Sequence, residues 1–167
     1  MITPELARIH LAYTEWATAR LLGAARELPP DDLARDFGTA DRSVLGTLVH
    51  VFAADRVWFV RLLGGAQEVP RDYDLPRLER EWAALFGRWQ AWASGLTEEK
   101  IAEKVSYRDL KGNPWISPVW QIVLHVVNHG SHHRGQVSGF LRAMGKVPPP
   151  LDLIAFYRQL DGPAARP

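Results

Sequence analysis

The sequence predicts an all-α protein: a bundle of four long helices, with a short hairpin before the fourth and a short helix near the C-terminus. Three observations predict it. Apolar residues recur at steps of three and four in four separate segments. Helix-starting residues, several followed by proline, stand where segments begin, and glycines stand where they stop. The 167 residues contain no internal repeat and no linker long enough to divide them, so a single domain over 1–167 is expected.

The first helix opens with Thr3 as its cap and Pro4 at its first position, and Leu6, Ile9, Tyr13, Trp16 and Ala17 then keep helical spacing until Leu28-Pro29-Pro30. Residues 29–42, rich in aspartate and holding two prolines, read as a connecting loop. Ser43 can cap a second helix that runs to about Leu63, where Gly64-Gly65 stops it. Leu45, Leu48, Val49, Phe52 and Phe59 make its apolar stripe. Gly46, His50, Ala53, Ala54 and Val57 form an adjoining strip of mostly small residues, where another helix can come close.

After a loop through Pro70 and Asp74, the third helix carries the plainest periodicity in the chain: Leu78, Trp82, Leu85, Trp89, Trp92 and Leu96. This is a bundle seam, and it accounts for three of the seven tryptophans as core. Gly95 and Thr97-Glu98-Glu99-Lys100 mark its end. Residues 103–117 alternate around Val105 and Tyr107 and hold the turn Lys111-Gly112-Asn113-Pro114, which reads as an irregular hairpin. Ser117-Pro118 resembles the start of the first helix and opens a fourth, which runs to about Met144 and stops at Gly145. Val147-Pro148-Pro149-Pro150 is an extended connector, Asp152 can cap a last helix from Leu153 to Leu160, and the tail from Gly162 to Pro167 is expected to fray.

Composition narrows the function. Twenty basic and nineteen acidic residues leave a formal charge of +1, with no basic field for a phosphate backbone, so nucleic acid is not expected as a partner. No apolar run approaches the roughly 20 residues of a membrane span, and the N-terminus lacks the pattern of a signal peptide; a cytoplasmic protein without membrane partners is expected. The chain has no cysteine, which excludes disulfides, thiolate ligands and a cysteine nucleophile. Any metal must be held by histidine or carboxylate.

Four of the six histidines fall between His125 and His133, on the fourth helix. Residues four apart on a helix differ by about 40° in direction and about 6 Å along the axis, so two imidazoles can close on one ion. His125 with His129 and His129 with His133 are two such pairs, and His129 belongs to both. Two ligands rarely hold a metal tightly, and catalytic zinc takes three from the protein. The third must come from elsewhere, and His50, mid-helix among small residues, is the candidate. His10 lies on a helix with no other ligand-like signal and reads as an ordinary satisfied side chain. The competing reading of the cluster is a solvated polar face or a pH-responsive patch.

The run Asn128-His129-Gly130-Ser131-His132-His133-Arg134-Gly135-Gln136, with His50 inside Leu48-Val49-His50-Val51-Phe52-Ala53-Ala54-Asp55, resembles the DinB-like family of metal-dependent enzymes. The likeness extends to the Leu151–Tyr157 close. It implies an up-down-down-up four-helix bundle, often a homodimer, with a divalent metal held by His50, His129 and His133. His125 then stands as the substitute ligand, and His132 turns to solvent or a subunit contact. Gln136 and Arg134 also match the family run. Gln136 lies near the metal face, where its amide can orient a ligand, and Arg134 is either an ion-pairing residue or an anchor for substrate. Asn128 is as suited to packing between helices as to chemistry.

A tri-histidine site adds no ligand charge to neutralise the ion, so a bound divalent metal, with zinc or nickel the first choices, stays electrophilic and can activate water or a thiol. The resemblance implies a transferase, isomerase or hydrolase acting on a small molecule with an external low-molecular-weight thiol, consistent with a chain that has no cysteine of its own. The alternative is a non-catalytic metal- or ligand-binding stress protein.

Overall fold

A computed structural model describes residues 1–65, 69 and 72–162. Seven helices and one hairpin occur among them: α1 (Pro4–Arg26), α2 (Pro30–Ala34), α3 (Val44–Leu62), α4 (Leu75–Ser94), α5 (Glu98–Ala102), β1 (Lys104–Arg108), β2 (Pro114–Pro118), α6 (Val119–Ala143) and α7 (Leu153–Leu160). Pro70, expected in a loop, and the tail beyond Gly162 lie outside the described residues.

The long helices start and stop for the reasons the sequence predicts. Thr3 Oγ1 accepts from the Leu6 amide at 3.1 Å and Ser43 Oγ from the Gly46 amide at 3.0 Å, each satisfying a donor that the first helical turn leaves free. Asp74 does the same for α4, at 2.8 Å from the Arg77 amide. Gly64 (φ 70°) and Gly145 (φ 74°) take the left-handed conformation that ends α3 and α6. After α6 the Lys146 amide returns to the Leu141 carbonyl and the Gly145 amide to that of Arg142, both at 2.9 Å.

Three expectations are corrected. Pro29-Pro30 does not simply open a loop: Pro30 sits in the first turn of the short α2, where its missing amide costs nothing. Thr97 ends one helix region and caps the next, because its Oγ1 accepts from the Lys100 amide and α5 follows. Ser117 is no cap. It pairs with Val105 in the hairpin, and α6 begins after Pro118 with no side-chain cap.

α6 and α4 each pack on both α1 and α3, so the four long helices form one bundle. Residue pairs fix their directions. Arg8 at the start of α1 donates to the Ala93 and Leu96 carbonyls after the end of α4, whereas Arg26 meets Glu79 at its start, so α1 and α4 are antiparallel. Phe52 packs on Trp82 and Phe59 on Trp89, so α3 and α4 run the same way. His50 meets His133 and Trp58 meets His125, so α3 and α6 are antiparallel. The order is therefore up-down-down-up.

The α4 seam lies in the core: Leu78, Trp82, Leu85 and Trp89 are buried and Trp92 packs at its edge. The hairpin crosses the outside of α3, where Tyr107 sets its ring against Trp58 at 5.1 Å. Asp109 organises the turn by accepting from the Asn113 side-chain amide, from the Trp115 indole and from the Asn113 and Lys111 backbone amides. These donors hold its carboxyl well below the usual carboxylate range. α7 folds back on α1 through Phe156, which packs between Tyr13 and Trp16.

Candidate metal centre

The face of α6 that meets α3 carries His129 and His133, and His50 projects towards them from α3. His50 Nε2 and His129 Nε2 stand 3.1 Å apart, and the His133 ring centroid lies 4.5 Å from each of the other two. Each of the three residues offers a ring nitrogen, and these nitrogens lie within 4.8 Å of one another. Ligand nitrogens at about 2.0–2.1 Å from a tetrahedral zinc stand roughly 3.3 Å apart, so the spacing suits one small divalent ion.

The charge state suits it as well. Burial, with further contributions from the neighbouring histidines, pushes His129 down to about 4, and burial also lowers His133. Neutral imidazoles, which have a lone pair to give, therefore dominate at these two positions at neutral pH. His133 Nδ1 lies 2.7 Å from Gln136 Oε1, so this ring donates to the amide and keeps Nε2 for the centre. His129 Nδ1 is buried and has no hydrogen-bond partner among the described residues.

Asp41 is a site residue the sequence reading missed. Its Oδ1 lies 3.4 Å from His50 Nδ1 and its Oδ2 4.0 Å from His133 Nδ1, on the outer side of both rings. No spacing rule pointed to it, because it lies in the loop before α3. The one local signal is Gly46: a Cβ at that position would stand 2.1 Å from the Asp41 carbonyl oxygen, so only glycine lets the loop lie against the first turn of α3.

The other candidates are placed elsewhere. The His125 ring lies 5.6 Å from that of His129 and packs edge-on against Trp58 at 4.9 Å, outside the three-residue group. His132 is exposed beside His133, and Asn128 is exposed. His10 Nε2 is 3.0 Å from the Tyr157 hydroxyl, tying α7 to α1, while its buried Nδ1 has no hydrogen-bond partner among the described residues.

Arg134 turns from the histidines into the interior and is only 2% exposed. Its guanidinium lies over the Tyr13 ring, donates to Ser131 Oγ at 3.1 Å and reaches Thr18 of α1 at 3.5 Å. It also acts electrostatically on Asp55 of α3, which accepts from the Trp82 indole at 3.1 Å. Burial nevertheless pushes the Asp55 carboxyl up to about 7. Gly130 makes room for this arginine, since a Cβ there would stand 2.6 Å from Nη1.

A cleft of about 220 Å³ opens beside the histidines, lined by His50, His129, Ala53, Ala54, Trp58 and Leu110 among others. A larger cavity of about 560 Å³ lies beside Tyr13, Arg134 and Pro148–Pro150. The smaller cleft is the one that bears on chemistry, because two of the clustered histidines line it. No helix among the described residues is long and apolar enough to cross a membrane.

Comparison with known proteins agrees with this architecture. A DinB-like protein from Bacillus cereus ATCC 10987, known from its crystal structure, superposes with a TM-score of 0.55 at 20% identity, over 84% of this chain and 94% of that one. At that identity the likeness speaks to the fold. Protein DinB of Bacillus subtilis (strain 168) is 22% identical over 151 residues, 84% of this chain and 87% of the relative. The sequence model of the DinB family matches residues 1–161, nearly the whole length. The chain belongs to the DinB family.

Proposed function

We propose that the protein binds one divalent metal ion, zinc or nickel by preference, through His50, His129 and His133, and uses it as a metal-dependent enzyme on a small molecule. The observation that carries this reading is the convergence of ring nitrogens from two helices beside an open cleft. A purely structural zinc site is closed by four protein ligands, whereas three ligands leave a position for water or substrate. The bound ion would supply a Lewis acid that lowers the pKa of a coordinated water or thiol.

The chain's own residues define the rest. The three imidazoles bring no negative charge, so the ion keeps its electrophilic character. Gln136 holds His133 in one orientation. Ala53, Ala54 and the indole of Trp58 give the cleft an apolar wall beside His50, suited to a small organic body rather than a polymer. With no cysteine in the chain, a thiol nucleophile must come from outside, which supports transfer or isomerisation with a low-molecular-weight thiol and leaves hydrolysis by activated water as the other reaction class. A homodimer belongs to the same proposal, on the family resemblance, and sedimentation equilibrium tests it.

The test is metal analysis of protein purified without an affinity tag, followed by assay of the loaded protein against small electrophiles with and without added thiol. One metal per chain and thiol-dependent or hydrolytic turnover are expected. Absence of stoichiometric metal after addition of zinc, nickel or manganese overturns the reading. Stoichiometric metal with no turnover, lost together with thermal stability in His133→Ala, would instead favour the non-catalytic metal-binding protein.

A further inference from the structure

We infer that Asp41 is the positioning residue of the metal centre, holding His50 with its proton on Nδ1 and its Nε2 lone pair turned to the ion. The inference rests on the metal-binding reading above, but part of its test does not need metal. Asp41 Oδ1 lies 3.4 Å from His50 Nδ1, while Nε2 of the same ring faces His129 Nε2 at 3.1 Å. An imidazole whose outer nitrogen donates to a carboxylate has its inner nitrogen free to ligate, is more basic and loses less freedom on binding.

A second observation concerns protons. The contact between the two Nε2 atoms needs one hydrogen; with the His50 proton drawn to Nδ1 by the Asp41 charge 3.4 Å away, His129 would supply it from Nε2 in the metal-free protein. Its buried Nδ1, which has no hydrogen-bond partner among the described residues, becomes a bare acceptor rather than an orphaned N–H, the rarer and less tolerable of the two.

Third, the loop is built to deliver the carboxylate. Phe37 stacks on Phe140 of α6 at 4.4 Å between ring centroids, and its amide donates to the Arg42 carbonyl at 2.7 Å. Arg42 takes a left-handed φ of 63° and pairs with Asp36 at 3.1 Å. Gly46 lets the Asp41 carbonyl rest on α3, so the backbone at residue 46 and the carboxylate at residue 41 act as one unit.

The test uses the full chain. Zinc affinity is measured by chelator competition, and two-bond nitrogen–proton correlation of the imidazoles reads the His50 tautomer in metal-free protein. Asp41→Ala is expected to weaken zinc by about 10- to 100-fold and to release His50 into a mixture of tautomers. Asp41→Asn, which keeps a carbonyl acceptor, should restore the Nδ1–H form and much of the affinity. Gly46→Ala should reproduce the loss, and adding it to Asp41→Ala should cost no more. A wild-type His50 protonated on Nε2, or an Asp41→Ala protein that keeps wild-type zinc affinity, overturns the inference. If wild-type protein takes up no zinc while the tautomer follows Asp41 as described, the metal-binding reading fails and the Asp41–His50 contact stands.

Discussion

His50 and His129 bring their Nε2 atoms to 3.1 Å across the α3–α6 interface although 79 positions separate them in the sequence. Two bare lone pairs at that distance would repel, so a hydrogen on one of the rings or a shared ion must lie between them. It makes each of the three histidines individually testable.

Single replacement of His50, His129 or His133 by alanine should abolish stoichiometric zinc binding, whereas His125→Ala should keep it, since the His125 ring packs on Trp58 outside the group. Isothermal titration of each metal-free variant checks this. Stoichiometric zinc in His133→Ala and its loss in His125→Ala would exchange the two residues' roles.

Gln136→Ala should leave the metal count at one and weaken affinity by about tenfold, the lower end for loss of a residue that orients a ligand. Gln136→Glu keeps the acceptor facing His133 Nδ1 and should bind at least as tightly as wild type. Chelator competition distinguishes the two.

Between about 4 and 6.5 the unfolded chain takes a proton on His129 that the folded chain refuses, so folding stability contributed at this position falls as pH is lowered through that window. The limiting slope is about 1.4 kcal/mol per pH unit for one proton. Asp55, raised from 3.8 to about 7, acts in the opposite sense, since the folded state holds its proton while the unfolded chain loses it. The measurement is therefore the difference in urea midpoints between wild type and His129→Leu, both metal-free, across this range. A difference that does not change with pH would show that His129 titrates normally.

Arg134→Ala should lower the melting temperature sharply while leaving zinc affinity close to wild type. The variant strips the donors from Ser131 and Thr18 in a buried setting, where losing a hydrogen-bond partner costs about 1–3 kcal/mol. Differential scanning calorimetry and zinc titration of the same sample test the separation. A large loss of zinc affinity with little change in melting temperature would return Arg134 to the site.

Much of the fold was legible because its causes are local. Thr3 and Ser43 announce their helices through hydrogen bonds within one turn, and Leu78, Trp82, Leu85 and Trp89 face one way by helical repeat alone. The short helices were not legible. α2 and α5 have five residues each, too few to show a period, and Pro30 and Thr97 are as much at home in a loop as at a helix start.

Spacing of four on a helix leaves His129 and His133 on one face, and a chain without cysteine leaves only histidine or carboxylate as a ligand. The sequence also marked His50 as the candidate third ligand, chosen for its small neighbours and for the family its surroundings resemble. Which side of α6 meets α3 depends on packing between the helices. Neighbouring residues on a helix point about 100° apart, so His133 turns to the centre while Arg134 enters the core, a choice made by what packs opposite. Asp41 also depended on packing: it reaches His50 because Phe37 anchors its loop on α6 and Gly46 lets the backbone close in, contacts between segments that no local periodicity encodes.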